Sequence, residues 1–191
     1  YSQQLIRRAE ATPFVVGTSG HRFDVVMSSL YFRLLGIPPV SMDMVRRIEK
    51  SDYAVAIPLH VRYSARGYPV VGTTVEYFAF RGLTAEAGGL PTVLGDAVLG
   101  RRVADALGLG PGDSILSDQK NLYDLSATYP LKMHVAGVLA ESGSADDYAV
   151  FVDVKTAWII DGVGHGHADA RTDPAAETPS ETEIVASAGI V

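Results

Sequence analysis

The feature that most constrains the fold is a period-two pattern at residues 53–63. Apolar side chains occupy every second position of this run: Tyr53, Val55, Ile57, Leu59, Val61 and Tyr63. Successive side chains of a β-strand point to opposite faces, so the pattern predicts a strand with one apolar face. Gly67 and a second apolar run at residues 68–74 follow, which predicts a hairpin. Pro58 cannot donate a ladder hydrogen bond, so we expect an edge position or a bulge there.

Helical and strand patterns both occur along the rest of the chain. Residues 22–35 carry apolar side chains at helical spacing and precede two prolines, which end a helix. Ser41 is a predicted N-cap of a second helix, and Asp96 is a predicted N-cap of a third helix that Gly108 ends. Further strands are predicted at residues 14–17, 114–116, 131–140 and 148–154. The mixture predicts an α+β fold.

Composition excludes several classes of function. With 191 residues, 47% of them hydrophobic, the chain can bury a core without a disulfide or a structural metal. A net charge of −6 without a basic stripe argues against a nucleic-acid partner. The absence of cysteine excludes disulfides and thiol catalysis. No apolar run approaches the roughly 18–20 residues that span a bilayer.

One short segment has the residue types of a metal site. His165, His167 and Asp169 alternate with glycine and alanine, and such a set could ligate zinc or copper. The alternative is a solvated loop, because two or three ligands fall short of a closed four-ligand site and ordering the loop costs entropy. Both interpretations stay open.

The sequence shows no arrangement that is typical of a catalytic site. Nucleophilic catalysis needs a nucleophile and a base within hydrogen-bonding reach, and no serine lies in an elbow-like motif. His60 and His134 fall on the less apolar face of predicted strands, so we expect them at the surface or in an interface. Asp146 and Asp147, close to Ser142, are typical of a turn. We therefore expect a protein that is not an enzyme.

An ordered series of short motifs resembles the extracytoplasmic domain of ABC-transporter permeases of the MacB/FtsX type. Each motif alone consists mostly of glycine and apolar residues, and it is the order that is specific. The motifs are residues 13–18 (PFVVGT), 25–32 (VVMSSLYF), 54–59 (AVAIPL), 70–74 (VVGTT) with 76–78 (EYF), 98–104 (VLGRRVA), 109–113 (LGPGD), 135–139 (VAGVL) and 151–152 (FV). The resemblance covers residues 13–160.

The resemblance implies a porter-like α/β subdomain with an inserted β-rich, sabre-like subdomain. Residues 1–80 would form the first half of the porter-like subdomain and residues 81–160 the insertion. Residues 161–183 would be a flexible linker with acidic residues and histidines, and residues 184–191 the start of a second porter half. Because the chain begins at Tyr1 and stops within an apolar run, we expect it to be a piece of a longer protein.

The resemblance also implies a function and a location. The domain would lie on the periplasmic side of the inner membrane, in a parent protein that is membrane-bound and dimeric. A cytoplasmic ATPase subunit would supply energy, and this domain would couple ATP-driven movement to a periplasmic adaptor or cargo. The alternative is a metal-binding module of a metal-handling permease, through His165 and His167.

Overall fold

A nine-stranded mixed sheet organises the chain in the computed structural model, which describes residues 14–119 and 130–162 and the backbone of residues 187–190. The strands are β1 Val40–Ser41, β2 Pro58–Ala65, β3 Tyr68–Thr73, β4 Ala85–Gly88, β5 Asp96–Leu99, β6 Ser114–Leu116, β7 Lys132–Leu139, β8 Val150–Asp153 and β9 Ser187–Ile190. They lie in the order β1-β9-β2-β3-β8-β5-β7-β4, and β6 also pairs with β7. The strands on the two sides of residue 80 thus share one sheet, while the predicted division into subdomains stays a prediction.

Helices connect the strands and cover both faces of the sheet. They are α1 Arg22–Tyr31, α2 Met42–Lys50, α3 Val75–Arg81, α4 Arg101–Leu107 and α5 Val154–Ile160, with a 3-10 turn at Ala145–Tyr148. The predicted cap of α2 is confirmed, because the Ser41 side chain accepts a hydrogen bond from the Asp43 N–H at 3.2 Å. Gly108 ends α4 in the left-handed conformation, as predicted. Helix α1 ends earlier than predicted, at Tyr31, since Phe32 has a φ of 54°.

The predicted hairpin is confirmed, but its first strand differs from the prediction. Strands β2 and β3 pair through a tight turn in which Arg66 and Gly67 have φ values of 53° and 83°. The Asp118 carboxylate accepts hydrogen bonds from both turn N–H groups, at 2.9 and 2.8 Å. Strand β2 begins only at Pro58 and lies between β9 and β3, so the expected edge position is wrong. Proline is tolerated there because it is the first residue of the strand.

The central strands β3, β8 and β5 are buried on both faces. Strand β3 runs parallel to β8, and β5 runs antiparallel to β8. Alternate residues of these strands enter two apolar cores. One core includes residues of α4 and α5, and the other includes Tyr77 and Phe78 of α3 together with Phe32. In the second core the Phe151 ring lies 5.9 Å from Phe32, 5.6 Å from Tyr77 and 5.5 Å from Phe78, centroid to centroid.

The prediction of a helix capped by Asp96 is wrong for its first turn. Asp96 is the first residue of β5, and the strand residues that follow it, Ala97, Val98 and Leu99, are all fully buried. A continuous apolar run is typical of a strand that is covered on both faces. The helix begins at Arg101, after Gly100, whose N–H donates to the Ala149 carbonyl at 2.8 Å.

Residues 14–57 contain α1, α2 and the short sheet strand β1, and we call them the N-terminal layer. Its own core cluster contains Val40, Val45 and Ala56. The predicted strand at residues 14–17 is reduced to a single bridge residue, Val16, and Phe14 is 82% exposed. Tyr53, the first residue of the period-two pattern, is 95% exposed, so the pattern continues beyond the strand it predicts.

Candidate functional site

Strand β2 and the end of α5 bring four polar side chains together. His60, Arg62 and Tyr63 come from β2, and Asp161 follows the last residue of α5 directly. The register of β2 shifts between Val61 and Tyr63. A bulge of this kind re-aims side chains, which allows the consecutive residues Arg62 and Tyr63 to reach the same carboxylate. We call these four residues the junction cluster.

The Asp161 carboxylate is the centre of the junction cluster. The Tyr63 hydroxyl donates a hydrogen bond to one carboxylate oxygen. The other oxygen lies 3.5 Å from the Arg62 guanidinium and 3.7 Å from Nε2 of His60. The rings of His60 and Tyr63 stack with a centroid distance of 6.4 Å. The negative charge of Asp161 is therefore balanced by the Arg62 guanidinium. At this site His60 is buried and Asp161 is nearly buried.

The hydrogen bond from Tyr63 to Asp161 acts as a tether within the junction cluster. Burial raises the pKa of the Tyr63 hydroxyl, and the hydrogen bond and charge of Asp161 raise it further, against the opposing charge of Arg62. The phenol therefore stays protonated and keeps donating at neutral pH. It fastens β2 to the end of α5, 98 residues further along the chain.

A small cavity adjoins the junction cluster. His60 and Arg62 line it from β2, and Ser28 and Ser29 line it from α1. Its volume of about 50 Å³ suits one or two water molecules rather than a substrate. The cavity lies between the N-terminal layer and the sheet, where α1 packs against β2.

The structure agrees with one of the sequence-based site predictions, contradicts another and leaves a third untested. His165, His167 and Asp169 lie outside the described residues, so the zinc or copper site stays a prediction. In the part of the chain that the structure describes, no group of three histidine or acidic side chains could hold a metal ion. His134 is 57% exposed, as expected of a surface residue, and its Nδ1 lies 3.2 Å from Asp96. The surface prediction for His60 is wrong, because β2 lies inside the sheet and its less apolar face is also covered.

The predicted turn at Asp146 and Asp147 is confirmed, and it is buried. The Asp147 carboxylate accepts hydrogen bonds from the N–H groups of Ser142 and Gly143 at 2.8 and 2.7 Å. The Asp146 carboxylate accepts one from the Tyr77 hydroxyl at 2.6 Å. The pair thus fixes the loop before β8 onto α3, since each buried carboxylate is satisfied by donors.

The continuous sheet and the helices on its two faces define an α+β domain. The chain belongs to the family of the MacB-like periplasmic core domain, whose sequence profile matches residues 7–186. The solved periplasmic region of MacB from Actinobacillus actinomycetemcomitans superposes with a TM-score of 0.52 at 16% identity. The superposition covers 75% of this chain and 64% of that one, so this chain spans less than two thirds of the relative. No curated protein matches the chain.

The family assignment confirms the predicted resemblance and fold class. The chain is a MacB-like periplasmic core domain, as the resemblance implied. Among the residues that the structure describes, no helix has the length and apolar character needed to cross a membrane.

Proposed function

We propose that this domain couples ATP-driven movement of the membrane part of its permease to an extracytoplasmic partner or cargo. It performs no chemistry of its own and acts by moving as a body. A dimeric parent protein with an ATPase on the cytoplasmic side would provide the movement.

The observation that carries this proposal is the continuity of the sheet. Strand β2 is hydrogen-bonded to β9 on one side and to β3 on the other, and the ladder continues through β8, β5 and β7 to β4. A ladder of backbone hydrogen bonds between packed cores resists shear, because sliding one strand would break several bonds and expose buried side chains. A displacement applied at one end of such a sheet reaches the other end.

The junction cluster supports the same role. The chain leaves the sheet after α5 at Asp161 and returns as β9, whose residues Gly189 and Ile190 pair with Leu59 and Pro58 of β2. Both ends of the intervening segment are thus fastened to β2, by the Asp161 contacts at one end and by a strand pairing at the other. Force transmitted through Asp161 or through β9 therefore reaches β2 directly.

The test uses the parent permease with its ATPase subunit in lipid nanodiscs. The chain has no cysteine, so Tyr53→Cys introduces one spin-label site per domain at an exposed position. Coupling predicts that the label-to-label distance between protomers differs between the nucleotide-free and the ATP-bound states. The matched control is a permease whose ATPase cannot bind ATP. An unchanged distance in the active complex refutes the coupling.

The absence of chemistry is tested separately on the isolated chain. Calorimetric titration with magnesium–ATP is expected to give no binding, and generic ester and peptide substrates are expected to stay intact. Tight nucleotide binding, or turnover that survives purification controls, would show that the chain is an enzyme after all.

A further inference from the structure

Residues 92–95, between β4 and β5, form a turn that shows apolar side chains to solvent; we call it the apolar tip. Val93 is 63% exposed and Leu94 is 56% exposed. Exposed aliphatic side chains are common singly, and two adjacent ones at one turn make that turn a candidate for a contact.

The backbone of the apolar tip is held firmly although its side chains pack against little. The Asp96 carboxylate accepts hydrogen bonds from the N–H groups of Thr92 and Val93, at 3.4 and 3.1 Å. The Gly95 N–H donates to the Thr156 hydroxyl at 3.0 Å, and the Gly95 carbonyl accepts from the His134 N–H at 2.9 Å. A turn fixed from three elements loses little entropy when its side chains are bound, so the tip is preorganised for a contact.

The sheet face next to the apolar tip continues the surface. Cross-strand pairing places Asp96 beside His134 and Lys132 beside Leu116. Lys132, His134 and Leu116 are all exposed. Two apolar side chains at the tip and a third at Leu116 therefore flank a lysine and a histidine. The one carboxylate among these residues, that of Asp96, already accepts the tip N–H groups and faces His134.

We propose that the apolar tip and this face bind an extracytoplasmic protein that presents an apolar cleft edged with carboxylates. Val93 and Leu94 enter the cleft, and Lys132 and His134 meet the acidic edge. The proposal deepens the coupling function and rests on it, since it names the surface through which movement of the sheet reaches a partner.

Two other occupants fit the observations less well. A second copy joined across a two-fold axis would present this same patch, in which no residue named above supplies an acidic partner for Lys132. An anionic bilayer would repel a chain with a net charge of −6, and two aliphatic side chains insert little area.

The test is photo-crosslinking in cells that produce the whole permease. A benzophenone amino acid replaces Leu94, and the control replaces Val75, which is 52% exposed at the start of α3. We expect a Leu94 adduct with one extracytoplasmic protein, mapped to a peptide that lines an apolar cleft and contains Asp or Glu. Lys132→Glu should lower its yield by about threefold or more, while Lys50→Glu on α2 leaves the yield unchanged.

Four results would overturn the docking surface: an adduct with lipid, an adduct with a second copy, a Leu94 yield no higher than that of Val75, or a yield that Lys132→Glu does not change. Repeating the experiment with an inactive ATPase separates the two proposals. An adduct that ignores the nucleotide state supports the docking surface and counts against coupling. If the distance between protomers depends on nucleotide but no Leu94 adduct forms, coupling is supported and the docking surface is refuted.

Discussion

The central strands and the N-terminal layer differ in how much of their apolar surface they bury. Phe151 of β8 and Val98 of β5 are fully buried and covered by helices on both faces. In the N-terminal layer, Phe14, Phe23 and Tyr53 are each more than 70% exposed. The layer is joined to the rest of the sheet by the pairing of β1 with β9, and its Phe32 packs edge-on against Phe151. Stability should therefore reside in the central strands, with the layer as a dependent attachment.

Removal of the central aromatic ring, that of Phe151, should show this difference in stability most clearly. Phe151→Ala leaves a cavity among Phe32, Tyr77 and Phe78, and we expect it to cost about 3–5 kcal/mol of unfolding free energy. Tyr53→Ala, in the layer, is the control and should change stability by less than about 0.5 kcal/mol. Denaturant melts of the isolated chain measure both. Equal losses would show that the two regions contribute alike.

The next largest loss of stability is expected at Gly100, where the backbone of another segment lies very close. A Cβ added at Gly100 would lie 2.3 Å from the Asp146 carbonyl oxygen and 2.6 Å from that of Asp147, both backbone atoms. Gly100→Ala should therefore cost about 1–3 kcal/mol, since the buried turn must shift. Gly110→Ala is the matched control, because nothing lies within 4 Å of its added Cβ. A neutral Gly100→Ala would contradict the packing of the turn against α4.

The tether at Asp161 should contribute less than either core change. Tyr63→Phe removes the donor to a nearly buried carboxylate and should cost about 1–2 kcal/mol at neutral pH. Because the pKa of Tyr63 is raised above 10.0, its contribution is present below pH 10 and is lost as pH rises through the folded value. The difference between wild type and Tyr63→Phe should thus shrink above pH 10. A difference that grows there would mean that the phenol is not held protonated.

The smallest effect concerns the hairpin turn. Burial raises the pKa of Asp118, but hydrogen bonds from the Gly67 N–H, the Ser64 hydroxyl and the Arg66 N–H outweigh it, so the pKa lies below 3.8. Its contribution is present above pH 3.8 and is lost as pH falls through the folded value.

Asp118→Asn should cost about 1 kcal/mol at neutral pH, and the difference from wild type should narrow below pH 4. Thermal melts from pH 7 to pH 3 measure the difference. Asp52→Asn, at an exposed carboxylate, is the control. A constant difference at all pH values would show that the charge of Asp118 does not hold the turn.

Local signals in the sequence predicted much of the fold. The hairpin at Gly67, the N-cap at Ser41 and the end of α4 at Gly108 depend on contacts within a few residues, and all three are confirmed. Periodicity was misleading where tertiary burial decides. Ala97–Leu99 can be read as the first turn of a helix, but cover on both faces makes it a strand. The alternation at residues 53–57 lacks a strand partner among the described residues.

The junction cluster could not be predicted from the sequence. Its two principal members, Tyr63 and Asp161, are far apart in the chain, and the bulge that aims Arg62 and Tyr63 at one carboxylate leaves no residue pattern. A weak signal existed at His60, a histidine within an apolar strand, yet only the position of β2 inside the sheet shows that it is buried.

The proposal that the sheet moves as one body can be tested by two distances in the nanodisc-embedded permease. Spin labels at Val75→Cys and Leu116→Cys report on α3, which follows the central strand β3, and on β6, which pairs with β7 away from the centre of the sheet. The Tyr53→Cys label reports on the separation of protomers. Coupling by a rigid sheet predicts that the Val75–Leu116 distance is the same with and without ATP, while the distance between protomers changes. A Val75–Leu116 distance that changes with nucleotide would contradict it.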